Sequence, residues 1–162
     1  MFDLKHKITP FLWYDTQAEA AAELYIRLLG NGRIVSTQRW GAGSPYPAGS
    51  VMAVTLDLHG QPLIAFNGGP HLKLTAAASL FVTCDNPAEV DHLWDGLCAN
   101  GGEPSRCGWL TDPYGLSWQI VPRAFLQMMS DTDGARVTRV MQAMMQLGKL
   151  DMVPLQRAYD GA

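Results

Sequence analysis

The sequence predicts an α+β fold made of two copies of one βαβββ module followed by C-terminal helices, and three observations predict it. The order strand, helix, strand, strand, strand can be read twice along residues 8–122. Landmarks recur between the copies: Asp15-x-x-Ala18-Glu19 lies 70 residues before Asp85-x-x-Ala88-Glu89, Asn31-Gly32 lies 69 before Asn100-Gly101, and Asp57-x-x-Gly60 lies 55 before Asp112-x-x-Gly115. The last interval is shorter because the second copy has shorter hairpins. Self-similarity of this kind indicates duplicated modules. After Pro122 the composition turns helical.

Within the first module, Ile8 to Tyr14 is apolar and rich in strand formers. Asp15-Thr16 offers N-cap chemistry for a helix from about Ala18 to Leu29, with Ala21, Leu24, Tyr25 and Leu28 on one apolar face. Gly30-Asn31-Gly32 stops it. Strands are expected over Arg33–Trp40, Ser50–Leu58 and Leu63–Phe66, with a loop at Gly41–Gly49, a turn at His59-Gly60-Gln61-Pro62 and an end at Asn67-Gly68-Gly69-Pro70. The second module repeats the plan. Ser79–Cys84 is a strand, Asp85-Asn86-Pro87 caps a helix near Ala88–Ala99, and Asn100-Gly101-Gly102 stops it. A short strand precedes Cys107-Gly108-Trp109, Asp112-Pro113-Tyr114-Gly115 is a tight turn, and Leu116–Val121 is the last strand. Helices follow at Arg123–Met129, at about Gly134–Leu147 after Asp131-Thr132-Asp133, and near Met152–Tyr159. The expected organisation is residues 1–122 as paired modules (about 8–70 and 76–122) and residues 123–162 as a helical extension.

Composition narrows the function classes. The 162 residues are 48% hydrophobic and 17% charged, with a net charge of −3. That suits a folded core rather than disorder. The Lys and Arg residues do not cluster, which argues against a nucleic-acid or anionic-membrane surface. Three cysteines, Cys84, Cys98 and Cys107, form no CxxC pair and read as reduced thiols. Residues Met1–Lys7 lack the apolar run of a signal peptide. No run of 18 or more apolar residues occurs. A cytoplasmic setting is expected.

Two βαβββ modules with Asp112-Pro113-Tyr114-Gly115 before Leu116-Ser117-Trp118-Gln119-Ile120 resemble the vicinal-oxygen-chelate superfamily of glyoxalase I, bleomycin-resistance proteins and extradiol dioxygenases. Thr9-Pro10-Phe11-Leu12-Trp13, Asn67-Gly68-Gly69-Pro70, Cys107-Gly108-Trp109-Leu110, Trp118-Gln119-Ile120-Val121-Pro122 and the tail segment Arg139-Val140-Met141-Gln142-Ala143-Met144 resemble its PhnB-like branch, labelled 3-demethylubiquinone-9 3-methyltransferase-like. The resemblance implies sheets curled into half-barrels, a glyoxalase/bleomycin-resistance fold and a homodimer. In the superfamily's metal enzymes it also implies one ligand on the first and last strand of each module. Counting from the landmarks puts those positions here at Ile8, at Ile64 or Ala65, at Ser79 or Ala78, and at Gln119. Of these only Gln119 carries a coordinating group of any use, and a weak one. His6, His59, His71 and His92 fall before the first strand, in a turn, in a loop and on a helix. Neither a bound metal nor another cofactor is therefore expected.

The methyltransferase label is not matched by a nucleotide-binding signature. No Gly cluster opens a helix after a strand in the GxGxxG manner. Cys107, next to Arg106 and near Trp109, reads as a packed thiol because the arginine is expected on the other face of the strand. No catalytic residue is assigned. By alternation Ser117, Gln119 and Val121 share one strand face, as do Ser79, Phe81 and Thr83, and as do Ile8, Pro10, Leu12 and Tyr14. The pocket candidates are Gln119, Ser79, Leu12 and Phe81, with Asn67 and Trp109 near the mouth as the resemblance implies, in a pocket expected to be mostly apolar with a few polar groups. The function expected is binding of a small molecule without a metal. The alternatives are an enzyme of the superfamily (a lyase, dioxygenase or methyltransferase-like protein) and a structural dimeric domain.

Overall fold

Residues 6–162 are described by a computed structural model, in which the chain divides at Leu74/Thr75 into two units. The first holds β1 (Phe11–Tyr14), α1 (Ala18–Leu29), β2 (Gly32–Arg39), β3 (Val51–Leu58) and β4 (Gln61–Asn67). Its sheet runs β1-β4-β3-β2, with β1 parallel to β4 and the other pairs antiparallel. The first strand is shorter than the sequence suggests. Pro10 has no N–H to give a ladder, pairing starts at Phe11, and Ile8 is 84% exposed ahead of it.

Helix α1 buries Ala18, Ala21, Ala22, Leu24 and Tyr25, the stripe its 3.6-residue spacing provides. These meet the face of the sheet that carries Tyr14, Val54, Leu56 and Leu63, all buried, and the Tyr14 and Tyr25 hydroxyls bond at 3.1 Å. Gly30 closes the helix in the left-handed region at φ 73°, its N–H bonded to Ile26 O. Residues near Asp15 and Thr16 do not cap the start. Gln17 at the N-cap makes no side-chain cap bond, and Asn67 on β4 accepts from the Ala18 N–H at 2.8 Å instead. A residue 49 positions away thus satisfies an orphan helix donor, which local N-cap patterns cannot reveal.

The second unit, Thr75–Ala162, opens with β5 (Ser79–Cys84), α2 (Pro87–Cys98), a 3₁₀ turn (Ala99–Gly101), β6 (Glu103–Pro104), β7 (Trp109–Thr111) and β8 (Ser117–Pro122). Its sheet runs β5-β8-β7-β6, the order of the first unit repeated. Asn86 caps α2 by accepting from Glu89 N at 2.9 Å, while the Glu89 carboxylate accepts from Asp85 N at 2.7 Å. Strand β7 is not separable in the sequence because three residues are too few to show an alternation. Cys84 is 1% exposed. Burial, helped by Glu89 and Asp85, pushes its thiol up to about 12, so it is an inert packing group at neutral pH.

Helices α3 (Arg123–Met129), α4 (Gly134–Met144) and α5 (Met152–Asp160) complete this unit. They close on a buried cluster of Val121, Phe125, Met128, Val140, Leu150 and Leu155. Helix α4 stops three residues short of Leu147, because the Leu147 and Gly148 carbonyls accept from Cys107 N (2.8 Å) and Gly108 N (2.7 Å). The chain leaves the helix there to satisfy the entry to β7. Asp133 and Asp151 cap α4 and α5 through their carboxylates. No described helix is long and apolar enough to cross a membrane.

Candidate functional site

In each unit the sheet packs one face on its own helix and turns the other away from it. On β8 of the second unit, Trp118 and Ile120 are buried on the α2 side at 1% and 0% exposure. Alternation then puts Ser117, Gln119 and Val121 on the side away from α2. Register places Phe81 of β5 beside Gln119 and Trp109 of β7 on its other flank. Gln119 is half-buried between a Phe81 that is 51% exposed and a half-buried Trp109. Its Nε2 donates to Ser79 Oγ at 2.9 Å, which leaves Oε1 available as an acceptor and the Ser79 hydroxyl available as a donor. Thr111, opposite Ser117, adds another hydroxyl. The result is a neutral polar centre flanked by aromatic rings. Glu103, opposite Thr111, is exposed at the edge of the sheet.

Four of the six sequence-derived candidates, Gln119, Ser79, Phe81 and Trp109, therefore come together on one face. The other two lie in the first unit. Leu12 is on the α1 side with Tyr14, and the face expected of it is held instead by Phe11 and Trp13, in register with Ile64 and Phe66. The correction is one residue of phase, enough to reverse every side chain on a strand. Asn67 is buried and both its polar ends serve the backbone, Oδ1 taking Ala18 N and Nδ2 giving to Val51 O at 3.0 Å.

The face of the first unit turned away from α1 is aromatic. Phe66 has ring centroids 5.3 Å from Phe11, 5.2 Å from Trp13 and 6.0 Å from Trp40, and Trp40 stacks on Tyr46 at 4.7 Å. The Trp13 indole donates to Gly69 O at 2.9 Å and the Tyr46 hydroxyl to Gly68 O at 2.7 Å. The Asn67-Gly68-Gly69-Pro70 motif is thus a seat for Trp13 and Tyr46. Ser36 and Gln38 of β2 and Thr55 of β3 share this face, and the sequence reading missed them. Their common parity is visible in Ser36-Thr37-Gln38, but which side it points to is hidden by a bulge.

The residues at the positions where the sequence resemblance placed metal ligands do not suit a divalent ion. Ile8 lies outside the strand, Ile64 is 5% exposed among aromatic rings, and Ser79 and Gln119 hydrogen-bond each other. Hydrocarbon and neutral amide or hydroxyl groups give a hard or borderline cation too little to bind. Among the described residues no group of three or more His, Cys, Asp or Glu side chains could hold a metal. His6, His71 and His92 are exposed, and His59 sits in the β3–β4 turn with Nε2 3.0 Å from Leu29 O.

Two open four-stranded mixed sheets in the order 1-4-3-2, each with a helix after its first strand, are the glyoxalase/bleomycin-resistance class of fold. Within that class the chain belongs to the 3-demethylubiquinone-9 3-methyltransferase family, the PhnB-like branch, whose pattern it matches over residues 6–121. It is similar to the PhnB protein from Bacillus cereus, with 32% identity over 72% of this chain and 99% of that one and a TM-score of 0.66. It shares its fold with protein PA1353 from Pseudomonas aeruginosa, at 22% identity over 73% of this chain and 98% of that one and a TM-score of 0.59. No curated protein shows significant similarity to the chain.

Proposed function

We propose that the chain binds a small, mostly apolar molecule against the face of the second unit's sheet turned away from α2, with Gln119 and Ser79 as its polar anchor and Phe81 and Trp109 as its walls, and that it does so without a divalent ion. The observation that carries this reading is the Gln119–Ser79 hydrogen bond. Two residues that the sequence resemblance set at candidate ligand positions form a neutral donor–acceptor pair, half-buried between rings. Such a centre can orient a carbonyl or hydroxyl on a ligand. In this reading the paired modules, residues 1–122, carry the binding face and residues 123–162 support it. The setting is cytoplasmic, where Cys84, Cys98 and Cys107 stay reduced.

The family's name describes methyl transfer. The Gly68-Gly69 pair seats an indole, and the groups around Gln119 offer no acid–base pair, so binding is the reading preferred.

A thermal-shift screen of aromatic, quinone and phosphonate compounds in the presence of a chelator tests this. A ligand at 100 times its Kd stabilises by about 2.7 kcal/mol, a rise of roughly 5–10 °C in Tm for a chain of this size. Gln119→Leu is expected to remove that rise while leaving the unliganded Tm within a few degrees. A screen in which every hit kept its full rise in Gln119→Leu would contradict the assignment. The same proposal includes a homodimer, because Met141, Met145 and Val153 are 45%, 56% and 58% exposed. Sedimentation at the mass of a single chain would rule that part out.

A further inference from the structure

The first unit carries a second cluster of polar groups, one that the sequence does not announce and the binding face above does not use. Ser36 lies opposite Thr55 across β2–β3, and Gln38 lies opposite Ala53. A bulge between Ile34 and Ser36 inserts Val35, so that Ser36 arrives where Val35 would otherwise stand. Ser36, Thr55 and Gln38 form a row on the face turned away from α1, since Thr55 and Ala53 pair in turn with Ile64 and Phe66. Thr55 is 2% exposed. Thr55 Oγ1, Ser36 Oγ and Gln38 Nε2 are all buried, and none has a hydrogen-bond partner. The two hydroxyls face each other across the ladder and still do not bond to one another.

A buried polar atom without a partner is unusual in a native fold and calls for an explanation. Here three such atoms share one patch, and their chemistry is specific. An amide N–H₂ can only donate, whereas a hydroxyl can donate or accept. The charged residues of the same strands are engaged or exposed: Asp57 accepts from Gly60 N at 2.7 Å, Arg39 donates to Gly49 O at 3.0 Å, and Arg33 is exposed. The row is therefore neutral. Beside it stand the rings of Phe66 and Trp40, 6.0 Å apart, with Tyr46 stacked on Trp40.

We infer that this row receives the polar edge of a planar, neutral, conjugated molecule that carries a carbonyl next to an N–H or O–H group. Gln38 donates to the carbonyl, the Ser36 and Thr55 hydroxyls meet the neighbouring group, and the ring system lies among Phe66, Trp40 and Tyr46. The inference rests on the reading that the chain binds a small molecule, and adds to it a site and a ligand class.

Two bicyclic probes test it on the full-length protein by calorimetric titration: quinolin-2-one, which has a carbonyl beside an N–H, and naphthalene, which has the same outline and no polar edge. Quinolin-2-one is expected to bind at least about tenfold more tightly than naphthalene, and Gln38→Leu and Thr55→Val are each expected to lose about tenfold of that affinity. Thr55→Val is also expected to raise the Tm of the ligand-free protein by roughly 2–4 °C, since it removes a buried hydroxyl with no partner. A merely structural threonine would lower it. Gln119→Leu is expected to leave quinolin-2-one affinity unchanged. Equal binding of the two probes, no binding of quinolin-2-one, or affinity kept within about twofold in both variants would overturn the inference. Quinolin-2-one binding lost in Gln119→Leu but kept in Gln38→Leu and Thr55→Val would overturn the row while upholding the binding face of the second unit.

Discussion

Replacing Asp112 by Ala is expected to destabilise the protein by about 3–5 kcal/mol, a loss of roughly 10 °C or more in Tm. Asp112 is 2% exposed in the turn before β8. Its Oδ1 accepts from Tyr114 N at 2.8 Å and from Leu116 N at 3.1 Å, and its Oδ2 accepts from Trp118 Nε1 at 2.9 Å. Trp118 and Leu116 are 1% and 2% exposed, so water cannot replace the lost acceptor for them. A stranded buried donor costs about 1–3 kcal/mol, and bonds to a charged acceptor lie at the upper end. Asp112→Asn keeps one acceptor but sets an N–H₂ group against the indole N–H, and recovers only part of the loss. The matching residue of the first module, Asp57, makes a single exposed bond to Gly60 N at 2.7 Å, so Asp57→Ala should cost about 1 kcal/mol or less. Urea unfolding of the three variants checks this, and an Asp112→Ala loss no larger than that of Asp57→Ala would refute the assignment.

The second large effect is at Gly68. A Cβ there would lie 2.2 Å from Trp13 Cζ2 and 2.4 Å from Cε2. The indole cannot swing aside freely, because Nε1 is bonded to Gly69 O at 2.9 Å and its edge meets Phe66 with centroids 5.2 Å apart. Gly68→Ala is therefore expected to cost about 2–3 kcal/mol through overpacking and to change the near-ultraviolet circular dichroism as Trp13 is displaced. Gly41→Ala serves as the control, since an added Cβ there meets nothing within 4 Å. Equal stability of the two alanine variants would show that the ring yields easily and that the motif has another purpose.

Local chemistry made much of the fold legible. The boundaries of α1, β5 and α3 coincide with the sequence reading, because a 3.6-residue stripe with a Gly stop, an apolar run before an Asx cap and a strand closed by Pro122 each leave a local signature. The failures are non-local. The cap of α1 comes from Asn67, and β1 loses its first residues to the missing N–H of Pro10. The site divides the same way. Alternation puts Gln119 on one face of β8 and Ser79 with Phe81 on one face of β5, and the register of the shared sheet sets these beside Trp109. The phase of β1 was set one residue out, which exchanged Leu12 for Phe11 and Trp13. The Ser36–Thr55 pairing depends on a bulge, and a single extra residue in a ladder has no marker in the amino-acid string.

Metal content bears most directly on the claim that Gln119 and Ser79 stand as a neutral pair where related enzymes hold an ion. Protein purified without chelator, supplied with Mn²⁺, Ni²⁺ and Zn²⁺ and then desalted, is expected to retain less than about a tenth of an equivalent of any of them by elemental analysis, because neutral amide and hydroxyl groups hold such ions weakly. One equivalent per chain, lost in Gln119→Leu, would contradict it.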